Sequence, residues 1–134
     1  MVIMPIKLIT KNTFSSLTFK GFCYNKDLFK QIDILIQTNE NETFGRIFVE
    51  AMIFKTPIIA LESEAAMNFI INGKNGYVVS TMNPDLFIEV IKLLKSDSEK
   101  YSSVIKNAFK TSLRYKTSIV NQKLDKIYKS ILCD

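Results

Sequence analysis

Residues 34–61 read ILIQTNENETFGRIFVEAMIFKTPIIAL, and the order of apolar and polar stretches within them decides the fold class. Ile34-Leu35-Ile36-Gln37 is a compact apolar run, the pattern of a strand buried on both faces. Thr38 to Thr43 is polar and loop-like. From Phe44 to Phe54 the apolar residues Ile47, Phe48, Ala51 and Met52 recur at helical spacing, and Thr56-Pro57 ends the helix. Pro57-Ile58-Ile59-Ala60-Leu61 is a second buried-type strand, with proline at its first position, where the sheet tolerates it. A strand, a helix and a strand in this order make a crossover unit, which places the strands in parallel.

The pattern continues outward. Lys26 to Ile32 reads as a short helix and Leu17-Thr18-Phe19-Lys20 as a strand stopped by Gly21. Val2 to Ile6 is at best an edge strand, because Pro5 cannot donate to a ladder. Glu64 to Ile71 reads as a helix, residues 72–76 as a turn-rich loop, and Tyr77-Val78-Val79 as a third strand. Asn83-Pro84 opens a helix with a capping side chain followed by a proline whose missing N–H costs nothing there. It runs to about Lys95, and two more helices follow near Glu99–Thr111 and Thr117–Leu132. The expected fold is α/β, a Rossmann-like parallel sheet flanked by helices.

Composition excludes several kinds of chemistry. The 134 residues suit one domain and are 47% hydrophobic, which argues against disorder. There is no histidine, which removes Ser-His and Cys-His catalysis and the usual zinc sites. Cys23 and Cys133 are too far apart in sequence to suggest a metal cage or disulfide framework, so a reducing compartment is expected. No apolar run is long enough to span a membrane, and Pro5 and Lys7 break the apolar start before a signal core can form. The chain reads as cytoplasmic. The net charge of +5 sits in the C-terminal third.

In parallel sheets, ligands sit beyond the carboxyl ends of the strands. Loop 38–44 occupies such a place, ahead of a helix that begins near Gly45. Gly45 permits close approach of a backbone or a ligand, and the free N–H groups of a helix start favour an anion. Glu50 lies about 7.5 Å along that helix and its side chain tilts back toward the N-terminus. Glu42 lies just ahead. Two carboxylates near a phosphate-favouring helix start suit a phosphate flanked by hydroxyl pairs, as in a nucleotide sugar. The plainer alternative is a glutamate that complements the helix dipole and a helix face that simply packs into the core.

The stretch E-T-F-G-R-I-F-V-E-A-M, from Glu42 to Met52, resembles the E-x-F-G-x-x-x-x-E-A-M signature of retaining GT-B glycosyltransferases, especially family 4 (group 1). Phe19-Lys20-Gly21-Phe22, residues 31–36, Thr56 to Ala60 and residues 70–79 are similar to the family in the same order. The resemblance covers residues 17–132, with 1–16 poorly matched, and implies one partial domain over 1–134. That domain would be the C-terminal, donor-binding half of a GT-B fold, truncated at its N-terminus. It further implies that Glu50 binds the ribose and Glu42 the donor sugar. Thr43 and the Phe44 and Gly45 backbone amides would complete the donor-binding set. No metal or other cofactor is implied, and no catalytic residue is assigned.

Departures from the family shape the expected activity. By the resemblance, these residues are expected to lack the acceptor-binding domain, and nothing before Gly21 is similar to the glycine-rich opening that in the family supplies an Arg and a Lys to the leaving diphosphate. Arg46 and Lys74 are weak substitutes. Residues 60–68 replace the family's glycines and place Glu64 near the expected diphosphate. The chain alone is therefore expected to be inactive. With an acceptor domain it would transfer a hexose from a nucleotide sugar to a glycan or lipid-linked acceptor. The alternative is an inactive fragment or an interaction module.

Expected partners are a nucleotide sugar and either a separate acceptor-domain subunit or a second copy, suggested by the apolar stripe Ile119, Leu124, Ile127 and Ile131. The basic C-terminal helices read first as solvated faces, with peripheral contact to the anionic inner face of a membrane as the alternative. Nucleic acid is not expected.

Overall fold

The computed structural model describes residues 25–132. The strands expected at 2–6 and 17–20, and both cysteines, lie outside them. In chain order the elements are α1 (Asn25–Phe29), β1 (Leu35–Gln37), α2 (Arg46–Ile53), β2 (Ile58–Leu61), α3 (Glu64–Phe69), β3 (Tyr77–Val79), α4 (Pro84–Ser96), α5 (Ser98–Ser112), a 3-10 turn (Leu113–Tyr115) and α6 (Thr117–Leu132). The described sheet has three parallel strands in the order β1-β2-β3, with Leu35 opposite Ile58 and Ile59 opposite Tyr77.

β2 is buried on both faces along its whole length. Ile58 and Ala60 join Leu35, Phe48, Ala51, Met52, Ala65 and Ala66 in one core, beneath α2 and α3. Ile59 and Leu61 face the other way, into a core with Tyr77, Val79, Phe87, Leu94 and Val104 from β3, α4 and α5. This alternation follows from the two-residue period of a strand. β1 departs from the expectation of burial on both faces. Ile36 is 42% exposed, because β1 is an edge of the described sheet and the second core draws on β2, β3, α4 and α5.

Local chemistry sets the helix ends. Asn83 Oδ1 accepts from the Asp85 N–H at 3.0 Å and Asp97 Oδ1 from the Lys100 N–H at 2.8 Å, capping α4 and α5. α3 stops at Phe69, two residues before the expected end, because Ile70 turns extended and Asn75 Oδ1 accepts the Ile71 N–H at 2.7 Å. Asn75 is buried, and its Nδ2 donates to Phe69 O and Thr111 Oγ1, both at 3.1 Å. One amide thus ties the end of α3, loop 70–76 and α5 together. α6 lies apart. Its neighbour is the 3-10 turn, and Leu124, Ile127 and Ile131 of the expected stripe are exposed while Ile119 is half-buried. No described helix is long and apolar enough to cross a membrane.

Two buried polar groups have opposite consequences. Asn75→Ala leaves donors and acceptors unpaired and should cost about 1–3 kcal/mol in chemical denaturation. The Tyr77 hydroxyl is buried with no hydrogen-bond partner among the described residues. Burial, with the Asp97 carboxylate adding, raises its pKa above the usual tyrosine value. Tyr77→Phe should therefore be neutral or stabilising by up to about 1 kcal/mol. The folded state holds the Tyr77 proton longer than the unfolded chain does, so wild-type stability should fall as pH rises past the unfolded tyrosine value, and Tyr77→Phe should flatten that fall.

Candidate functional site at the carboxyl edge of the sheet

Strands β1, β2 and β3 release their chains on the same edge, into residues 38–45, 62–63 and 80–83. The first of these segments is held by side-chain bonds to its own backbone. Gln37 Oε1, buried at the end of β1, accepts the Asn39 N–H at 3.0 Å, and Asn39 Oδ1 accepts the Asn41 N–H at 3.1 Å. Short amide side chains of this kind stabilise turns.

Glu42 joins the two helix starts. Its carboxylate Oε1 accepts the Gly45 N–H at 3.0 Å, and its main-chain oxygen accepts the Ala65 N–H in the first turn of α3 at 3.1 Å. Gly45 stands at the cap of α2 with φ 60° and ψ 19°, a left-handed conformation. A Cβ there would lie 2.8 Å from the Phe69 ring and 3.1 Å from Ala65 Cβ. The close approach expected at this glycine is thus made by the chain itself, on that side, as α3 packs against the start of α2. Phe44, just outside the helix, is 81% exposed, and Thr43 is exposed as well. The helix begins at Arg46 rather than Phe44 because the left-handed glycine interrupts it.

Glu50 is half-buried on α2, and Arg46 Nη2 lies 3.8 Å from its Oε1, with side-chain exposures of 86% for Arg46 and 27% for Glu50. An ion pair so exposed on the cationic side adds little stability. The N-terminus of α3 is already served: Ser63 Oγ accepts the Ala66 N–H at 3.2 Å, and Glu64 complements the helix dipole from an exposed position. Among the described residues, the three carboxyl-edge segments carry no lysine or arginine, so Arg46 is the cation nearest them in sequence on that side. Lys74 precedes β3, on the opposite edge of the sheet, where its carbonyl accepts from Asn107 Nδ2 at 3.2 Å.

The sequence that builds this edge matches a family model described as "Glycosyl transferases group 1" over residues 7–111. The chain belongs to this family. D-inositol 3-phosphate glycosyltransferase of Corynebacterium urealyticum is 23% identical over 104 residues, covering 78% of this chain and 24% of that protein. Among solved structures, Alr3699/HepE of Anabaena in complex with UDP and glucose matches with a TM-score of 0.77 and 27% identity, over 84% of this chain and 32% of that one. The C-terminal domain of the group 1 protein LpcC from Francisella tularensis matches with a TM-score of 0.64 and 25% identity, over 72% of this chain and 52% of that one. The chain therefore spans about a quarter of the length of curated relatives such as the Corynebacterium enzyme. The fold expectation holds: the parallel sheet and its helices match the Rossmann-like domain of these glycosyltransferases.

Sequence reading missed the roles of Ser63, Phe69 and the main chain of Glu42 in building this edge. The serine-glutamate pair at 63–64 is a legible capping signal, whereas the Phe69 contact joins residues that no local pattern links. Gly45→Ala combines a left-handed backbone with the Phe69 clash. It should destabilise the fold by about 1–3 kcal/mol in urea, with part of that loss recovered in a Phe69→Leu background.

Proposed function

We propose that this domain binds the donor of a retaining, family 4 GT-B glycosyltransferase. In this reading it holds a nucleoside diphosphate sugar over the start of α2, and the hexose passes to a glycan or lipid-linked acceptor held by an acceptor-binding domain. The observation that carries the reading is the join made by Glu42. One residue fixes the left-handed start of α2 through its carboxylate and the start of α3 through its carbonyl, so two helix starts and the Glu50 side chain belong to one rigid edge. Support comes from membership of the group 1 family and from the likeness to a protein solved in complex with UDP-glucose.

Within this reading the roles divide by charge. Glu50 accepts hydrogen bonds from the ribose hydroxyl pair. The Glu42 oxygen not engaged by Gly45 accepts from the sugar, and Thr43 and the Phe44 and Gly45 amide region lie alongside it. The diphosphate gains from helix-start N–H groups. Its charge is poorly met by side chains, since the carboxyl-edge segments contribute glutamates and no cations. Stabilising the leaving diphosphate is the large electrostatic part of such a transfer. Residues 1–134 alone therefore bind donor without transferring the sugar, and no metal or other cofactor takes part.

An NMR titration of the isotope-labelled chain with UDP, GDP and their sugar conjugates tests this. Saturable shifts confined to residues 42–50 and 62–66 are expected, with Glu50→Ala weakening the apparent affinity about tenfold or more, the value of a hydrogen bond to a charged group. A folded spectrum that stays still at millimolar ligand would overturn the donor reading. Sugar transfer by the purified chain would overturn its predicted inactivity.

A further inference from the structure

The two ends of the sheet carry opposite charge. The carboxyl edge holds Glu40, Glu42, Glu62 and Glu64. Toward the other end, between loop 70–76 and the last turns of α5, lies a cavity of about 330 Å³ whose lining includes Lys74, Lys110, Arg114, Asn68, Asn107 and Tyr115. No carboxylate lines it. Neither ion pair among the described residues engages its three cations.

The walls are fixed by hydrogen bonds that cross from loop to helix. Asn107 Nδ2 donates to Lys74 O at 3.2 Å, and the buried Asn75 donates to Thr111 Oγ1 at 3.1 Å. Gly73, with φ 72°, turns the loop, and its N–H donates to Gly76 O at 2.8 Å. The backbones carrying Lys74 on one side and Lys110 and Arg114 on the other are therefore held together across the cavity. Lys106 and Lys110 follow one another at four-residue spacing on α5, where like charges repel along a helix, and Arg114 follows in the 3-10 turn. Cations kept close by a satisfied backbone, with no acid among them, gain from an anion placed between them.

We propose that this cavity binds a phosphate-bearing ligand, with Lys74, Lys110 and Arg114 as its cationic clamp. Arg114 offers a planar fork suited to two phosphate oxygens, and the two lysines act as point charges around it. An adjoining apolar groove of about 420 Å³, lined by Ile105, Phe109 and Leu113 with Lys55, shares Lys110 with the cavity. A free phosphate ester needs the cavity alone, whereas a lipid phosphate also has the groove for its apolar part. The cavity is separated from Gly45 by the Phe69 ring, and its cations stand on other elements than the donor-site residues, so the proposal does not rest on the donor reading. Phe69 lines its inner wall and packs tilted against Tyr115, with ring centroids 5.1 Å and planes 40° apart, so occupancy has a local reporter.

The test titrates the isotope-labelled chain with glycerol phosphate and, separately, floats it with phosphatidylglycerol or phosphatidylcholine vesicles. Saturable, salt-sensitive shifts at Lys74, Thr111, Arg114 and Tyr115 are expected with glycerol phosphate. The double variant Lys110→Glu/Arg114→Glu, whose side chains are exposed and leave the fold intact, should weaken binding about tenfold or more, while the charge-matched Lys95→Glu/Lys123→Glu should not. Flotation with phosphatidylglycerol alone, showing the same dependence on the two variants and no response to glycerol phosphate, assigns the phosphate to a lipid headgroup. Absence of both responses, or equal loss in both double variants, overturns the site. Shifts at residues 42–50 on adding UDP are read in the same spectra, and their loss in Glu50→Ala but not in Lys110→Glu/Arg114→Glu distinguishes donor binding from this site.

Discussion

The contact between Gly45 and the Phe69 ring governs how the functional edge is built. α2 can start where it does only because residue 45 adopts a left-handed backbone, and α3 can lie against that start only because residue 45 has no Cβ. Phe69 then touches Phe48 and Tyr115 on its other sides, with ring centroids 6.5 and 5.1 Å away. A single aromatic ring thus spans from the helix start at the carboxyl edge to the 3-10 turn after α5. Ala65 and Ala66, fully buried beside it, are small enough to let the two helices approach.

Around that contact the electrostatics separate. At the carboxyl edge, carboxylates are tied to backbone N–H groups or sit at a helix start, where they are stabilised without burying a charge. At the other end, lysines and an arginine gather around a cavity whose backbone is held by Asn75 and Asn107. The two regions therefore differ in the chemistry they offer: hydrogen-bond acceptors and helix-start N–H groups at the acidic edge, cationic side chains at the cavity. The acidic edge is also the physical reason that the proposed function separates donor binding from transfer. Hydroxyl recognition needs acceptors, which the edge supplies, whereas departure of a diphosphate needs cations, which its segments lack.

Much of the fold was legible from local patterns. β3 and α6 fall at the residues expected, and β1, β2, α4 and α5 within one or two, because their signals are short-range: apolar runs, a proline after a capping asparagine, apolar periodicity. The exceptions turn on features that residue periodicity does not carry: α1 ends at Phe29 rather than Ile32, and α2 starts at Arg46 rather than Phe44 because Gly45 is left-handed. α3 ends early because Asn75, further along the chain, takes its Ile71 N–H. Ile36 is exposed because layer coverage depends on where α4 and α5 come to rest. At the site, the spacing of Glu42, Gly45 and Glu50 was visible in the chain. That Glu42 is already engaged through both its carboxylate and its carbonyl, and that Gly45 is covered by Phe69, was not.

By itself, then, the sequence determined the strand–helix alternation, the parallel crossover and the resemblance to the group 1 glycosyl transferases, because these rest on residue order and side-chain period. Only the tertiary structure decided which groups are free to meet a ligand. That depends on partners far apart in the chain, Glu42 with Ala65, Gly45 with Phe69, Lys74 with Asn107, and no local preference encodes a contact whose two halves are separated by an entire element.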